Sequence, residues 1–106
     1  MNAKATTKLS RAARKPLWQF CLYVANKTPR SLLALANLRR FCDEQLPGLY
    51  QIEVIDVLAQ PQVALKENIV ALPMLVRKAP KPMRMVIGDL SNTPRVVAGL
   101  DVHLSA

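Results

Sequence analysis

Residues 17–58, LWQFCLYVANKTPRSLLALANLRRFCDEQLPGLYQIEVIDVL, decide the fold, because two apolar runs flank a helix-like stretch. The first run, Leu17–Ala25, is aromatic and β-branched enough to predict a buried strand. The second run, Leu49–Leu58, is almost continuously apolar, which favours a strand covered on both faces. A helix between two such strands makes a βαβ unit, which implies parallel pairing and a right-handed crossover.

The helix of this unit is predicted over Pro29–Gln45. Thr28 can cap it, Pro29 suits the first helical position, and Pro47-Gly48 ends it. One stripe of the helix should face the core and the opposite one the solvent. The predicted core stripe is Leu32, Leu35, Leu38 and Cys42, widened by Leu33, Ala36 and Phe41, and the predicted outer residues are Arg30, Asn37, Arg40 and Glu44.

The pattern weakens from Ala59 onward. We predict a short helix over residues 61–68, short strands over residues 73–76 and 83–87, and a last helix that opens at Ser91-Asn92-Thr93-Pro94 and runs towards Leu104. The order βαβ, helix, strand, strand, helix is that of a thioredoxin-like α/β domain. Five of the eight prolines lie in this half, so local propensity specifies it poorly: Pro61, Pro73, Pro80, Pro82 and Pro94.

The length of 106 residues fits one domain, which we place at residues 17–106 after a basic, flexible tail of residues 1–16. The net charge of +8 is uneven, because residues 1–42 hold nine Lys or Arg and no acid, whereas the rest hold six basic and seven acidic residues. An acidic protein surface explains this charge as well as nucleic acid does. With five aromatic residues, four of them in or beside apolar runs, we do not expect nucleic-acid binding; a role of the tail in such binding is the weaker alternative.

The chain contains no run of 18 apolar residues, and residues 1–15 lack the apolar core of a secretory signal. We therefore predict no membrane span and a cytoplasmic location. The basic, acid-free composition of residues 1–15 is also that of an organellar transit peptide, which stays as the alternative.

The cysteines argue against thiol–disulfide chemistry. A thioredoxin-like layout places its redox CxxC at the junction of the first strand and helix, and here that stretch, Ala25–Ser31, has no cysteine. Cys21 and Cys42 lie in apolar segments instead, where free cysteine behaves as a small buried hydrophobe. We expect both to be reduced and inert, with a redox protein as the disfavoured alternative.

Other catalytic or ligand-binding constellations are missing from the sequence. His103 is the single histidine and is expected on the surface of the last helix, so no metal cluster can be assembled around it. The three glycines form no phosphate-binding loop, and the adjacent carboxylates of Asp43 and Glu44 point apart on a helix. We predict no enzymatic activity, no cofactor and no metal.

Several short motifs, in their order and spacing, resemble the KaiB family of circadian clock proteins. The resemblance covers roughly residues 22–102. The motifs are Leu22-Tyr-Val-Ala25 with Thr28-Pro29 and Ser31, Val54-Ile-Asp-Val-Leu58 with Pro61-Gln62, Ala71 with Pro73 and Leu75, Ile87-Gly-Asp-Leu-Ser91, and Gly99-Leu-Asp101.

This resemblance implies a regulator that binds a KaiC-type ATPase and modulates its phosphorylation or ATPase state, with KaiA or a KaiB-like sensor kinase as further partners. It also implies two folds of one sequence: a thioredoxin-like monomer, and an alternative ground-state α/β fold that assembles into homo-oligomers, dimers or tetramers, with the βαβ half common to both. Such switching needs two packings that lie within a few kcal/mol of each other.

The resemblance also implies roles for individual residues. Partner contacts are expected at Tyr50, Gln51, Glu53 and Asn68, and influence on the choice of fold at Pro73, Gly88, Gly99 and Asp101; fold analogy makes the bond before Pro73 cis. Glu53 and Asn68 stand where the family commonly has lysine, and Pro80-Lys81-Pro82 replaces a triple proline. These departures fit a divergent paralogue that serves another KaiC, in stress adaptation instead of daily timing. A KaiC-independent stress-response oligomer is the alternative.

Overall fold

The computed structural model describes residues 17–69 and 71–102. Their order of elements is the thioredoxin-like order that the sequence predicts. The bounds in chain order are β1 (Trp18–Val24), α1 (Pro29–Gln45), β2 (Tyr50–Asp56), α2 (Pro61–Lys66), β3 (Met74–Ala79), β4 (Arg84–Ile87) and α3 (Thr93–Leu100). The predicted tail of residues 1–16 and the predicted surface position of His103 lie outside the described residues.

The four strands form one mixed sheet in the order β2-β1-β3-β4. Strands β1 and β2 pair in parallel, with Trp18 opposite Tyr50, as a βαβ unit requires. Strand β3 pairs with β1 and with β4 in the antiparallel sense. The fold predicted from the sequence is therefore confirmed.

Strand β1 divides the core in two, because its side chains alternate between the faces of the sheet. Phe20, Leu22 and Val24 pack with residues of α1 and α3. Cys21 and Tyr23 point to the other face, where partly buried residues of α2 lie. The sheet thus carries the 17-residue α1 and the eight-residue α3 on one face and the six-residue α2 on the other.

Side-chain caps set the starts of α1 and α3. Thr28 Oγ1 accepts a hydrogen bond from the Ser31 amide at 3.2 Å, as predicted. Asn92 Oδ1 accepts one from the Arg95 amide at 3.1 Å. The expected run of the last helix towards Leu104 is wrong, because Asp101 has a left-handed conformation (φ +53°) that ends α3 at Leu100.

The predicted core stripe of α1 is partly wrong. Leu32 and Leu33 are 53% and 45% exposed, and Ala36 is exposed too. Asn37, predicted to face solvent, is 6% exposed and donates to the main-chain oxygen of Asp89 at 2.8 Å. Residues 32–36 are apolar around most of the helix circumference, so hydrophobicity alone does not choose the buried side. The side that packs is that of Ser31, Ala34, Asn37, Leu38, Phe41 and Cys42.

The prediction that β2 is covered on both faces is also wrong. Strand β2 lies at the edge of the sheet, and Gln51, Glu53 and Val54 are exposed. The apolar run of residues 49–58 is typical of a central strand of a parallel sheet, which is why the prediction failed. Here it has a neighbour on one side only, and the β2 side of the molecule remains accessible.

Arg77 in β3 is a buried cation that ties three segments together. Its side chain is 3% exposed. Nη1 donates to the main-chain oxygens of Leu100 at 2.8 Å and Asp101 at 3.1 Å, and Nη2 donates to that of Pro82 at 2.7 Å. The guanidinium carbon lies 5.6 Å from the ring centre of Trp18. Arg77 therefore connects the end of α3, the β3–β4 turn and the start of β1.

Replacing this cation should destabilise the fold. We expect Arg77→Met to lower the free energy of unfolding by about 2–3 kcal/mol, because buried carbonyl groups lose charged donors. Urea unfolding measures the loss. The matched control is Arg84→Met, since Arg84 lies directly opposite Arg77 on β4 and its side chain is 46% exposed; we expect about 1 kcal/mol or less. Equal losses in both variants would contradict a specific role for Arg77.

Candidate partner-binding surface

Three of the four predicted partner-binding residues lie on β2, and their side chains alternate between its two faces. Tyr50 packs against the core cluster under α1. Gln51 and Glu53 are exposed and pair in register with Gln19 and Cys21, which places them on the α2 face of the sheet. Tyr50 therefore does not share a face with Gln51 and Glu53.

Asn68, the fourth predicted residue, is exposed in the turn that follows α2. Its φ of +56° is left-handed, a conformation that asparagine adopts more readily than most residues. Helix α2 packs through Val63 and Ala64 onto the face that carries Gln51 and Glu53. Gln51 and Glu53 therefore lie on the face of the sheet that also carries α2 and the turn with Asn68.

Large apolar side chains are exposed in the same region. Leu58 follows β2 and is 66% exposed, and Leu65 on α2 is 84% exposed. Val54 on the edge strand is 43% exposed too, but it pairs with Leu22 and therefore lies on the α1 face, outside this region. We call Gln51, Glu53, Leu58, Leu65 and Asn68 the β2–α2 surface. Exposed leucines beside polar groups are typical of a protein-binding site.

Tyr50 has a structural attachment of its own. Its hydroxyl donates to Asp43 Oδ1 at the end of α1. The hydrogen bond to the Asp43 carboxylate, followed by desolvation, raises the pKa of Tyr50 to about 12. The phenol therefore connects β2 to α1.

The residues expected to influence the choice of fold lie in the β3-β4-α3 half. The peptide bond between Leu72 and Pro73 is cis, as fold analogy predicts. Pro73 is buried, and its main-chain oxygen accepts from the Gly88 amide at 2.9 Å. Gly88 has a φ of +121°, a conformation that side-chain-bearing residues rarely adopt.

Gly99 and Asp101 lie where α3 packs on β4. A Cβ atom at Gly99 would lie 2.6 Å from Val86 Cγ2, so the missing side chain lets the helix approach the strand closely. Asp101 caps α3 in a left-handed conformation, and its carboxylate lies 3.8 Å from Arg84 Nη2. Both residues shape the contact between helix and strand.

The two cysteines are buried on opposite faces of the sheet. Cys21 belongs to the cluster on the α2 face and Cys42 to the cluster under α1. Burial raises the pKa of both thiols, that of Cys42 to about 12. A disulfide between them cannot form in this fold, which argues against the redox alternative.

Sequence reasoning missed Arg77 and the buried role of Asn37. The strand predicted over residues 73–76 ends one residue before Arg77, so the prediction places this cation in no element. In the structure β3 extends to Ala79, so Arg77 lies inside a strand. Its position within a largely apolar run is the signal that could have found it.

Conventional metal ligands do not converge in the described residues. There, His, Cys, Asp and Glu form no group of three that could hold an ion. In residues 17–69 and 71–102, none of the helices has the length and apolar character needed to cross a bilayer.

Comparison with known proteins identifies the family. The model of the KaiB domain matches residues 21–102. The chain belongs to the KaiB family. A circadian clock protein KaiB3 from Synechocystis sp. is 46% identical over 81 residues, which cover 76% of this chain and 79% of the relative. A circadian clock oscillator protein KaiB from Prochlorococcus marinus is 46% identical over 91 residues, or 86% of each chain. The resemblance seen in the sequence motifs is confirmed.

Solved structures with low sequence identity share the fold of this KaiB-family chain. The N-terminal domain of Synechococcus elongatus SasA has a TM-score of 0.63 at 19% identity and covers 92% of this chain and 99% of that domain. The oxidized mitochondrial thioredoxin 3 of Saccharomyces cerevisiae has a TM-score of 0.64 at 15% identity and covers 82% of this chain and 79% of that one. These similarities establish a thioredoxin-like fold.

The Tyr50–Asp43 contact predicts a pH dependence. The unfolded chain loses the phenolic proton near the ordinary pKa of 10, whereas folded Tyr50 keeps it to about 12. The contribution of this hydrogen bond to the free energy of unfolding is therefore fully present below pH 10 and is lost as pH rises from 10 towards 12. We expect Asp43→Asn to move the pKa of Tyr50 towards 10, measured by tyrosinate absorbance. Glu44→Gln, at the neighbouring carboxylate, should leave it unchanged; an equal shift in both variants would refute the specific contact.

The buried cysteines predict low thiol reactivity. In the native protein we expect neither Cys21 nor Cys42 to react with Ellman's reagent, because the thiols are inaccessible and held protonated. Unfolding in guanidinium chloride should make both thiols reactive in a single step. Rapid reaction of one thiol in the native protein would show that its side of the core opens.

Proposed function

We propose that this KaiB-family chain is a non-enzymatic regulator that binds a KaiC-type ATPase and modulates its phosphorylation or ATPase state. The single observation that carries the proposal is the β2–α2 surface, because it combines exposed leucines with the residues that family resemblance associates with partner contacts. The relatives named as clock proteins support a regulatory role. A cytoplasmic location is part of the same proposal.

The exposed leucines are the energetic centre of the proposed interface. Leu65 is 84% exposed on α2, and Leu58 is 66% exposed at the end of β2. Each would lose water-accessible apolar area against a partner, at roughly 25 cal/mol for each Å² that is buried. Gln51, Glu53 and Asn68 surround them with groups that form hydrogen bonds and set orientation, as the polar rim of an interface does.

Charge points to a cognate partner that differs from the standard clock ATPase. The family resemblance implies lysine at positions 53 and 68, where this chain has Glu53 and Asn68, so two positive charges are replaced by one negative charge and one neutral amide. A partner surface that attracts lysine would repel Glu53. We propose that the cognate ATPase has a neutral or basic group opposite Glu53, as in a paralogous system for stress adaptation.

The thioredoxin-like fold is the proposed binding-competent form. A ground-state homo-oligomer with a rearranged second half would lack part of the β2–α2 surface, because α2 belongs to that half. A partner that selects the binding-competent form must bind it more tightly, by about 10⁴-fold for a near-complete shift of populations. KaiA or a KaiB-like sensor kinase would then compete or join at the assembled complex.

Replacing Leu65 by a polar side chain of similar size should weaken the complex and leave the fold intact. We expect Leu65→Gln to raise the Kd for the cognate KaiC-type ATPase by about tenfold or more, because a central apolar contact commonly contributes about 1–2 kcal/mol or more. Titration calorimetry in ATP and in ADP measures the change.

The matched control for Leu65→Gln is Leu33→Gln. Leu33 is also an exposed leucine on a helix, 45% exposed, but lies on α1, away from the β2–α2 surface. Equal weakening by both variants would contradict the proposed interface. Absence of any complex at micromolar concentrations in both nucleotides, together with a concentration-dependent oligomer in light scattering, would favour the KaiC-independent alternative.

A further inference from the structure

Three methionines lie around one depression on the α2 face of the sheet. The sequence has four methionines, and Met1 lies outside the described residues. The other three, Met74, Met83 and Met85, line a depression of about 150 Å³ together with Tyr23. The methionines of the described residues are thus concentrated at one place.

Strand register explains why Met74 and Met85 line the same depression. Met85 lies opposite Val76, and Met74 lies opposite Ile87, so Met74 and Met85 are diagonal neighbours on the same face of β3 and β4. Such neighbours are within reach of long side chains. Met83 lies in the turn directly before β4 and lines the same depression.

The three methionine side chains differ in exposure, as a ligand-binding site with a fixed base and an accessible rim would require. Met74 is 1% exposed, whereas Met83 and Met85 are 58% and 57% exposed. One thioether is therefore held in the core and two flexible ones stand at the surface. Unbranched methionine side chains can rearrange around a small guest without changing the backbone.

The chemistry of the lining favours a soft cation over a hard one. Thioether sulfur is a soft ligand that selects Cu(I), whereas Ca²⁺ and Mg²⁺ require several oxygen ligands. The carboxylate that lines the depression belongs to Glu67, and Lys78 Nζ lies 3.1 Å from its Oε1. Arg84, also in the lining, lies 3.8 Å from the Asp101 carboxylate, which moderates its repulsion of a guest cation.

We propose that Met74, Met83 and Met85 form a binding site for a soft monovalent cation, Cu(I), with Ag(I) as its redox-stable counterpart. The site binds the ion already reduced, so no electron transfer is involved. Its three proposed ligands lie on β3, β4 and the turn between them and not on the β2–α2 surface, which the depression borders at Glu67 and Ile69.

The test uses the full reduced chain with 13C-labelled methionine methyl groups. Ag(I) is titrated in chloride-free buffer, and Cu(I) is titrated anaerobically, while methyl signals are followed by NMR. We expect the signals of Met74, Met83 and Met85 to shift together and to stop shifting after one equivalent. Single Met→Leu variants assign the signals, and Leu preserves the volume of Met.

Substitutions at the methionines and at the cysteines show which sulfur atoms hold the ion. Met83→Leu combined with Met85→Leu should weaken Ag(I) affinity at least by the roughly tenfold loss that removal of even an outer-shell partner causes. The control is Ile87→Leu, which changes an apolar residue 47% exposed on the same face. Cys21→Ser combined with Cys42→Ser should leave the affinity and the methionine shifts unchanged.

Four outcomes would overturn the site. These are the absence of methionine shifts at one equivalent, a shift confined to Met1, loss of binding in the double cysteine variant, and equal weakening by Ile87→Leu. The methyl signals could instead stay unchanged with both ions and shift when a protein partner is added. That result would overturn the ion site and assign the depression to protein docking.

Discussion

The guanidinium of Arg77 fixes the end of α3 and the β3–β4 turn to the sheet, and it also contacts the start of β1. It donates to the last carbonyl groups of α3 and to the β3–β4 turn, and it lies beside the ring of Trp18 at the start of β1. A cation at the carbonyl end of a helix also interacts favourably with the helix dipole. Because the strand order places β3 directly beside β1, this one side chain reaches two segments that are distant in sequence, the end of α3 and the start of β1, as well as the nearby β3–β4 turn.

A second polar contact works in the same way on the helix side of the sheet. Asn37 of α1 donates to the main-chain oxygen of Asp89, in the loop that leads to α3. Both contacts run from a side chain to a main-chain carbonyl. Antiparallel pairing of β1 with β3 and apolar packing of Val96 and Leu100 on the shared core also attach the second half. The βαβ unit, residues 17–58, is therefore specified by a continuous apolar pattern. The rest of the domain, from Ala59 onward, depends on a few polar contacts between distant residues.

This difference explains what the sequence could and could not predict. The βαβ unit follows from local signals, namely the apolar runs, the Thr28 cap and Pro47-Gly48, and its helix bounds are correct to the residue. The buried side of α1 does not follow, because residues 32–36 are apolar around the helix and only the sheet decides which side packs. The edge position of β2 is likewise a property of strand order, which residues 49–58 do not encode locally.

The candidate surface was predictable only in part for the same reason. Motif resemblance singles out Tyr50, Gln51, Glu53 and Asn68, but alternation along β2 turns Tyr50 towards the core under α1. Leu58 and Leu65, which carry most of the exposed apolar area there, look in sequence like core residues of a strand and a helix. Their exposure arises because β2 is an edge strand and α2 is only six residues long. A short helix cannot cover its own apolar face and that of an edge strand together, so the geometry that defines the fold also leaves the surface that a partner can occupy.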